Sequence, residues 1–390
     1  MLRVNTVMLT RGTHLILCGF MLQSQKSATP TERFYSPCPL LAVVKRHHRL
    51  TMMPKVEGEA VLELNKIKVT PLAAESFGVR SMCTLVETPD VKLLLDAGIS
   101  LCPYRFRLPP HPTEFQTISK LRKRIAEAAD KAEVVTISHY HFDHHTPSYE
   151  DWLVNWTEER ETARQIYQDK TVLLKNPREK INASQRKRAW MFQKTGGKHT
   201  KTLEPADGKT FTFGKDTALR FSEAVPHGPN DSMLGWVVMA LVECQDERFM
   251  FAPDVQGPMS THTLELIKAA KPQAIMLGGP PFYLGGFKVA EAQLQLGLKN
   301  LTAVVEAVPV TILEHHALRD ESWRQRTKQV YAKAAELGHK VITAAEFAGH
   351  ENRFLESKRK MLYVENPPSK EFEKWMRENL TTKSHAKPPI

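Results

Sequence analysis

Ile137-Ser138-His139-Tyr140-His141-Phe142-Asp143-His144-His145 is the stretch that decides how this chain is read. It packs four histidines and one aspartate into seven positions, directly after the apolar, β-branched run 133–138. If that run is a strand, His139 and His141 point the same way, because strand side chains alternate with a period of two. A turn that begins where the strand stops can swing Asp143 and His144 toward the same place. Imidazole nitrogens suit zinc and iron, and a carboxylate tolerates harder cations. A solvated loop can also carry histidines. The strand in front of this one, and the histidines and aspartates that recur downstream, favour a metal centre.

Working outward, β-branched segments bounded by turn formers predict strands over 66–72, 79–86 and 91–96, with Thr88-Pro89-Asp90 as a hairpin turn. Residues 114–132 carry Ile118, Leu121, Ile125 and Ala128 at helical spacing. Further helices are expected over 156–168 and 182–194, with an extended segment at 171–175. Strands follow at 210–213, 218–225, 236–244 and 248–253. The remainder alternates: helix 261–270, strand 274–278, helix 289–307, strand 308–314, helix 319–337 and a short strand near Val341. Antiparallel strands first and helix–strand alternation later imply an α/β fold of layered sheets with helices outside. No internal repeat is found.

The HxHxDH pattern at a strand end resembles the signature of the metallo-β-lactamase superfamily. The resemblance implies an αββα four-layer sandwich with metals at one edge of its two sheets. It makes His139, His141, Asp143 and His144 metal ligands, Asp96 the carboxylate that orients a ligand histidine, His227 the third ligand of the first metal and Asp254 the bridging carboxylate. His315 or His316 closes the second metal. A closer resemblance rests on IKVTPLAAESFGVRSM (67–82), ISHYHFDHHTP (137–147), DVQGP from Asp254 and GGPP from Gly278. These are similar to a little-studied, mainly archaeal family of metal-dependent hydrolases, over about residues 66–365.

The chemistry so implied uses two divalent metal ions, zinc first and iron or manganese as alternatives. Cations roughly 3.5–4 Å apart hold a water as hydroxide and polarise a substrate oxygen. Asp143 and Asp254 would orient that hydroxide. The substrate is not implied, since the superfamily spans lactamases, thiolesterases, phosphodiesterases and nucleases. Two features point to a phosphodiester or other phosphate-bearing substrate, a small molecule or a nucleic acid. The helix at 182–194 interleaves Arg186, Lys187 and Arg188 with Trp190 and Phe192. The same helix could equally present a solvated basic face with Trp190 in the core. The run Leu313–Arg319 is similar to the closing motif of tRNA 3′-processing nucleases, in which a histidine is followed four positions later by an arginine. That places His315 as ligand, Arg319 as substrate holder, and His316 beside the site as proton donor. Adjacent strand residues face opposite ways, so only one of the two histidines is expected to reach the metal. Lys175 and Lys194 are further phosphate-holding candidates, and Gly278–Pro281 a candidate lining of the substrate mouth. A carboxylic, thio- or lactone-ester hydrolase is the alternative. A non-catalytic metal- or nucleic-acid-binding protein is the alternative of another class, disfavoured because every expected ligand position is filled.

Composition sets the outer bounds. The 390 residues are 42% hydrophobic and 25% charged, with a formal net charge of +11. Residues 1–55 hold eight Lys/Arg and one acid, so the rest of the chain is only mildly basic and its charge does not argue for nucleic acid. Five cysteines without a CxxC pair speak against a disulfide framework or zinc ribbon and for a reducing cytoplasm. No apolar run reaches the roughly 18–20 residues of a membrane helix, so no membrane partner is expected. Residues 1–60 lack periodicity and are expected to be a disordered extension, with Met52 and Met53 as alternative starts. Residues 366–390 are read as a C-terminal tail, of which the polar, proline-containing end 381–390 is expected to fray.

Overall fold

Short runs of valine, leucine and threonine build two sheets in a computed structural model that describes residues 64–382 and 386–390. The expected extension at 1–60 lies outside the described residues. The first sheet holds β1 (Lys68–Pro71), β2 (Thr84–Glu87), β3 (Lys92–Leu95), β4 (Val134–Ile137), β5 (Thr171–Leu174) and β6 (Thr202–Pro205), side by side in that order. Its first three strands pair antiparallel, the second and third through a tight turn. From β3 onward the pairs are parallel. Parallel pairs need long crossovers, and helices α1 (Pro112–Ala129), α2 (Glu159–Tyr167) and α3 (Ala183–Lys194) supply them.

The second half repeats this plan. Strands β7 (Thr210–Phe213) and β8 (Thr217–Phe221) are followed by a two-stranded ribbon, β9 (Val225–Pro226) with β10 (Trp236–Val237). Then come β11 (Ala240–Cys244), β12 (Glu247–Ala252), β13 (Ala274–Gly278), β14 (Val310–Glu314) and β15 (Lys340–Ile342), and the sheet runs β7-β8-β11-β12-β13-β14-β15. Its pairs are antiparallel as far as β12 and parallel beyond. The parallel crossovers carry α4 (Thr261–Ala270), α5 (Glu291–Ala307), and the short α6 (Trp323–Arg326) with α7 (Lys328–Leu337). The chain finishes with α8 (Ala344–Phe347), α9 (Arg359–Glu365) and α10 (Lys370–Thr382).

Alternation along the strands sorts the layers. Phe249, Phe251, Met276 and Ile312 point into a core shared with Leu93 and Leu95 of the first sheet. Their neighbours Met250, Ala252, Leu277 and Leu313 point away, into a second core with Leu264 of α4, Leu301 and Val304 of α5 and Val330 of α7. Thr84 Oγ1 lies 3.1 Å from Met276 Sδ, across the two sheets. The result is the expected αββα sandwich. Both faces of the second sheet are covered, which is why all five residues of β13 are buried and its sequence reads as one apolar run. No helix of the described residues is long and apolar enough to cross a membrane.

Three expectations need correction. The strand expected at 79–86 begins only at Thr84; before it, Arg80 makes an isolated bridge to Ser100. The strands expected at 218–225 and 236–244 each break in two, because the chain leaves the sheet to form the β9–β10 ribbon. The tail expected from 366 holds a packed helix. Helix α10 buries Phe372, Trp375 and Met376 in the first core, where the Phe115 ring meets both aromatic rings edge-on, and Trp375 donates to the Ala386 carbonyl at 2.9 Å.

Candidate metal centre

The centre forms where strands from both sheets end. His139 follows β4, Asp254 follows β12, His315 and His316 follow β14, and His227 sits on the β9–β10 ribbon. The backbone bends sharply at several of these ends. Asp96, Asp254 and His315 have φ of 48°, 51° and 64°, a left-handed region costly for residues with a Cβ and concentrated at functional sites. Gly98 lets the histidine turn come close. A Cβ there would lie 2.3 Å from the His145 nitrogen and 2.4 Å from that of His144.

Asp254 is the hub. Its Oδ2 lies 3.1 Å from His139 Nε2, 2.9 Å from His227 Nε2, 3.2 Å from His144 Nε2 and 4.0 Å from His141 Nδ1. Its Oδ1 lies 3.2 Å from His315 Nε2 and 3.1 Å from His316 Nε2. Asp143 Oδ2 is 3.4 Å from His315 Nε2, which is 3.4 Å from His144 Nε2. Overlapping sets of donors emerge around this carboxylate: His139, His141 and His227 with Asp254, Asp143 with His144 and His315, and His315 and His316 with Asp254.

The outward ring nitrogens are anchored as metal-bound histidines usually are. His144 Nδ1 meets Asp96 Oδ2 at 2.8 Å, and Asp96 also accepts from the Ser138 backbone and hydroxyl. His139 Nδ1 meets Ser138 Oγ at 3.0 Å, His316 Nδ1 meets Tyr283 Oη at 3.0 Å, and His315 Nδ1 is 3.6 Å from Glu75 Oε2. The inward atoms behave differently. His227 Nε2, His316 Nε2 and Asp254 Oδ1 are buried without any hydrogen-bond partner. Buried polar atoms are rarely left so, and a cation among them would satisfy all three.

Electrostatics favour the donor states. Burial pushes His139 well below the usual imidazole range, lowers His141 and brings His315 to about 4, so these rings are neutral near pH 7. Burial alone would raise Asp143 and Asp254, but the surrounding imidazoles outweigh it and hold both carboxyls well below the carboxylate range. His144 is the exception. Burial lowers it, yet Asp254 and Asp96 prevail and raise it.

Beside the centre opens a cavity of about 870 Å³ lined by His141, Asp143, His227, Asp254 and His316 of the cluster. Arg80, Arg188, Lys288 and Arg319 also line it. Arg188 donates to the Tyr140 carbonyl at 3.3 Å and sits over the Phe142 ring, with no carboxylate partner among the described residues. Arg186 is exposed and does not line the cavity. The two lie two positions apart on α3, about 200° around the axis, so one helix face cannot present both. Trp190 is 59% exposed, in neither the core nor the cavity lining. Arg319 lines the cavity but is committed: Nε to Glu75 at 2.9 Å, Nη1 to Tyr283 and His316, Nη2 to His315 at 3.1 Å. Lys175 pairs with Asp207, and Lys194 does not reach the cavity.

The expectation that only one of His315 and His316 reaches the centre does not hold. Strand β14 stops at Glu314, and the left-handed turn at His315 brings both imidazoles to Asp254 Oδ1. His316 lines the cavity, with Nε2 buried 3.1 Å from Asp254 Oδ1 and Nδ1 facing Tyr283 Oη at 3.0 Å. Glu75 and Tyr283 were not singled out by sequence, although Glu75 lies inside the motif at 67–82 and Tyr283 just after the GGPP run. That run itself stays out of the cavity lining, where Tyr283 and Leu284 stand instead.

No family model matches the chain. A UPF0282 protein of Methanopyrus kandleri is 43% identical over 297 residues, covering 75% of this chain and 98% of that protein. One of Sulfolobus acidocaldarius is 40% identical over 307 residues, covering 78% and 95%. Among solved structures, Zn(2+)-bound PqqB from Methylobacterium extorquens is similar at a TM-score of 0.40 and 11% identity, over 73% of this chain and 98% of that one. Nothing about this chain's reaction follows from a likeness of that size. With its αββα layers, its HxHxDH turn and its carboxylate-centred cluster at one edge of two sheets, the chain belongs to the UPF0282 family and has the metallo-β-lactamase fold.

Proposed function

We propose that the protein is a metal-dependent hydrolase acting on a phosphate ester, with the centre around Asp254 as its active site. The observation that carries the metal is the convergence of His227 Nε2, His316 Nε2 and Asp254 Oδ1, all buried and unpartnered. His139, His141, His227 and Asp254 would hold one ion. Asp143, His144, Asp254 and the His315–His316 pair would hold the second. Divalent cations there supply Lewis acidity toward a substrate oxygen and acidify bound water to near neutral pH.

The protein's own groups do the rest. Asp254 faces both donor groups and fixes their spacing. Asp143, partly open to the cavity, orients the attacking water. Arg188 favours an anionic substrate, because it stands at the cavity wall without a direct ion pair among the described residues and can pair with a phosphate oxygen. Arg319 is not the substrate holder in this reading; with Glu75 it braces His315.

The test is hydrolysis of bis-p-nitrophenyl phosphate and of p-nitrophenyl acetate by protein reconstituted with Zn2+, Mn2+ or Fe2+. Diester turnover that depends on added metal supports the proposal. Metal-dependent acetate hydrolysis without diester turnover would move the assignment to carboxylic esters, and turnover in chelator-treated protein would refute it.

A further inference from the structure

Gln256 stands in the cavity wall two positions after the hub carboxylate, and only 1% of its surface is exposed. Its φ is 57°, a left-handed value that a residue with a Cβ keeps only where its surroundings enforce it. The surroundings here are tight. The next residue, Gly257, donates to the Gly278 carbonyl at 2.9 Å and ties the loop to the end of β13. Gly228 makes room for the side chain, since a Cβ there would lie 2.4 Å from Gln256 Oε1. One end of the carboxamide faces His227 Nδ1 at 3.4 Å, and the other end has no hydrogen-bond partner among the described residues. Buried polar groups are rarely left so. A rigidly held amide in a cavity wall, with one end engaged and the other idle, is arranged for a ligand.

We infer that Gln256 is a substrate-binding residue with two tasks: its carboxamide oxygen holds the Nδ1 proton of His227, and its NH2 group donates to a substrate oxygen in the cavity. The first task follows from the chemistry of an imidazole ligand. His227 Nε2 is buried, unpartnered and 2.9 Å from Asp254 Oδ2. To offer that lone pair to a cation, the ring carries its proton on Nδ1, and Gln256 is the side chain that faces Nδ1. A carboxamide has an acceptor and a two-proton donor of like shape, exchanged by a half-turn about its last bond. With the oxygen toward His227, the NH2 becomes the idle end. The second task follows from the neighbours. Asp143 and Asp254 line the same cavity and, while ionised, only accept. Arg319 is engaged with Glu75 and His315. The amide therefore brings a neutral donor to a stretch of wall that is otherwise carboxylate. Fixed in place beforehand, it needs no reorganisation as charge develops on a bound oxygen. Arg188 comes from the first half of the chain and Gln256 from the second, so a phosphate would be gripped by both.

The inference rests on the proposal that this centre is a metal-dependent phosphate-ester hydrolase, and the experiment separates the two. Wild type, Gln256→Glu and Gln256→Met are compared as full chains, with melting curves confirming that each is folded. Three quantities are read: Zn2+ affinity by chelator competition, affinity for inorganic phosphate at saturating Zn2+, and kcat and KM for bis-p-nitrophenyl phosphate. Glutamate keeps an acceptor for His227 and loses the donor, whereas methionine keeps the bulk and loses both. Gln256→Glu should hold Zn2+ as wild type does and lose about 10–100-fold in phosphate affinity, the worth of a hydrogen bond to a charged group. Gln256→Met should lose phosphate affinity likewise, and also about 10–100-fold in Zn2+ affinity, the worth of an outer-shell partner. A residue that only filled space would not divide the two variants in this way. Phosphate affinity unchanged in both variants overturns the inference, as does a Zn2+ affinity that responds equally to both. Should Gln256→Glu not fold, the methionine variant decides, and wild-type affinity for either phosphate or Zn2+ overturns the inference. A wild type that binds Zn2+ and phosphate without turning over the diester refutes the hydrolase proposal and leaves the two titrations to decide on Gln256. A wild type that takes up no metal overturns both.

Discussion

Asp96→Asn isolates what a single buried carboxylate does for the centre. Asp96 is fully buried at the end of β3, accepts from the Ser138 backbone at 2.8 Å and faces His144 Nδ1 at 2.8 Å. While it is ionised it can only accept, so the His144 proton stays on Nδ1 and the Nε2 lone pair faces Asp254. An asparagine amide of the same shape can donate to Nδ1 instead, which moves the proton to Nε2, toward the metal. Outer-shell partners of this kind are worth about 10–100-fold in metal affinity, or about 1.4–2.7 kcal/mol at 1.36 kcal/mol per decade. Stability without metal should change far less. The substitution keeps the volume, and burial already raises the Asp96 carboxyl above its ordinary range, so the charged form gains little from its place there. The assay is chelator competition for metal affinity, beside thermal melting of the metal-free protein. An affinity within about twofold of wild type, below the 10–100-fold range expected, would refute the reasoning. So would a loss of affinity fully accounted for by unfolding.

Asp254→Ala should lose at least one metal ion and all turnover, read by metal analysis and diester hydrolysis, since its two oxygens face both donor groups. Arg188→Glu should raise KM for a phosphate-bearing substrate about tenfold or more, the worth of a charge-assisted hydrogen bond, and leave a neutral ester nearly unaffected. Arg186→Glu, on the exposed face of α3, should change neither; equal effects of the two variants would remove Arg188 from the substrate site. Arg359→Ala should destabilise the fold by about 3–5 kcal/mol in denaturant titration, because it strands a buried carboxylate. Arg359 and Glu114 are fully buried and 2.7 Å apart.

The parts of the centre that were legible in the sequence are the local ones. His139, His141, Asp143 and His144 share one turn, so their spacing after an apolar strand carries the geometry. His227, Asp254 and the His315–His316 pair needed the resemblance, because nothing local says that a lone histidine just after a two-residue strand folds back to a distant turn. That both histidines after the closing strand reach Asp254 was missed for a definite reason. The alternation rule assumes that the strand continues, and β14 ends one residue before the pair. Glu75 and Tyr283 act through contacts 240 and 33 positions away, the first of which no window of sequence contains. Helix α10 is a different failure. Phe372, Trp375 and Met376 fall at helical spacing, but the polar stretches on either side made the segment read as a tail. Arg186 and Arg188 were grouped by composition, where helical angle separates them.

The donors are divided between the two sheets, and this sets when the centre can be assembled. His139 and His144 leave the first sheet, whereas Asp254, His315 and His316 leave the second, and His144 meets His315 across 171 positions of chain. No half of the protein holds a complete set for either ion. A nascent chain that has completed only its first sheet therefore displays a histidine cluster without the carboxylate that would retain a metal, and the set around His227 and Asp254 is complete only after β12, the one that uses His315 only after β14. Ions held there as proposed would act as rivets between the sheets. Since they bind only the closed sandwich, they resist its opening by an amount that grows with the logarithm of free metal, about 4.1 kcal/mol at a thousandfold excess over Kd. Metal supply would then govern how long the finished molecule survives as well as what it can do.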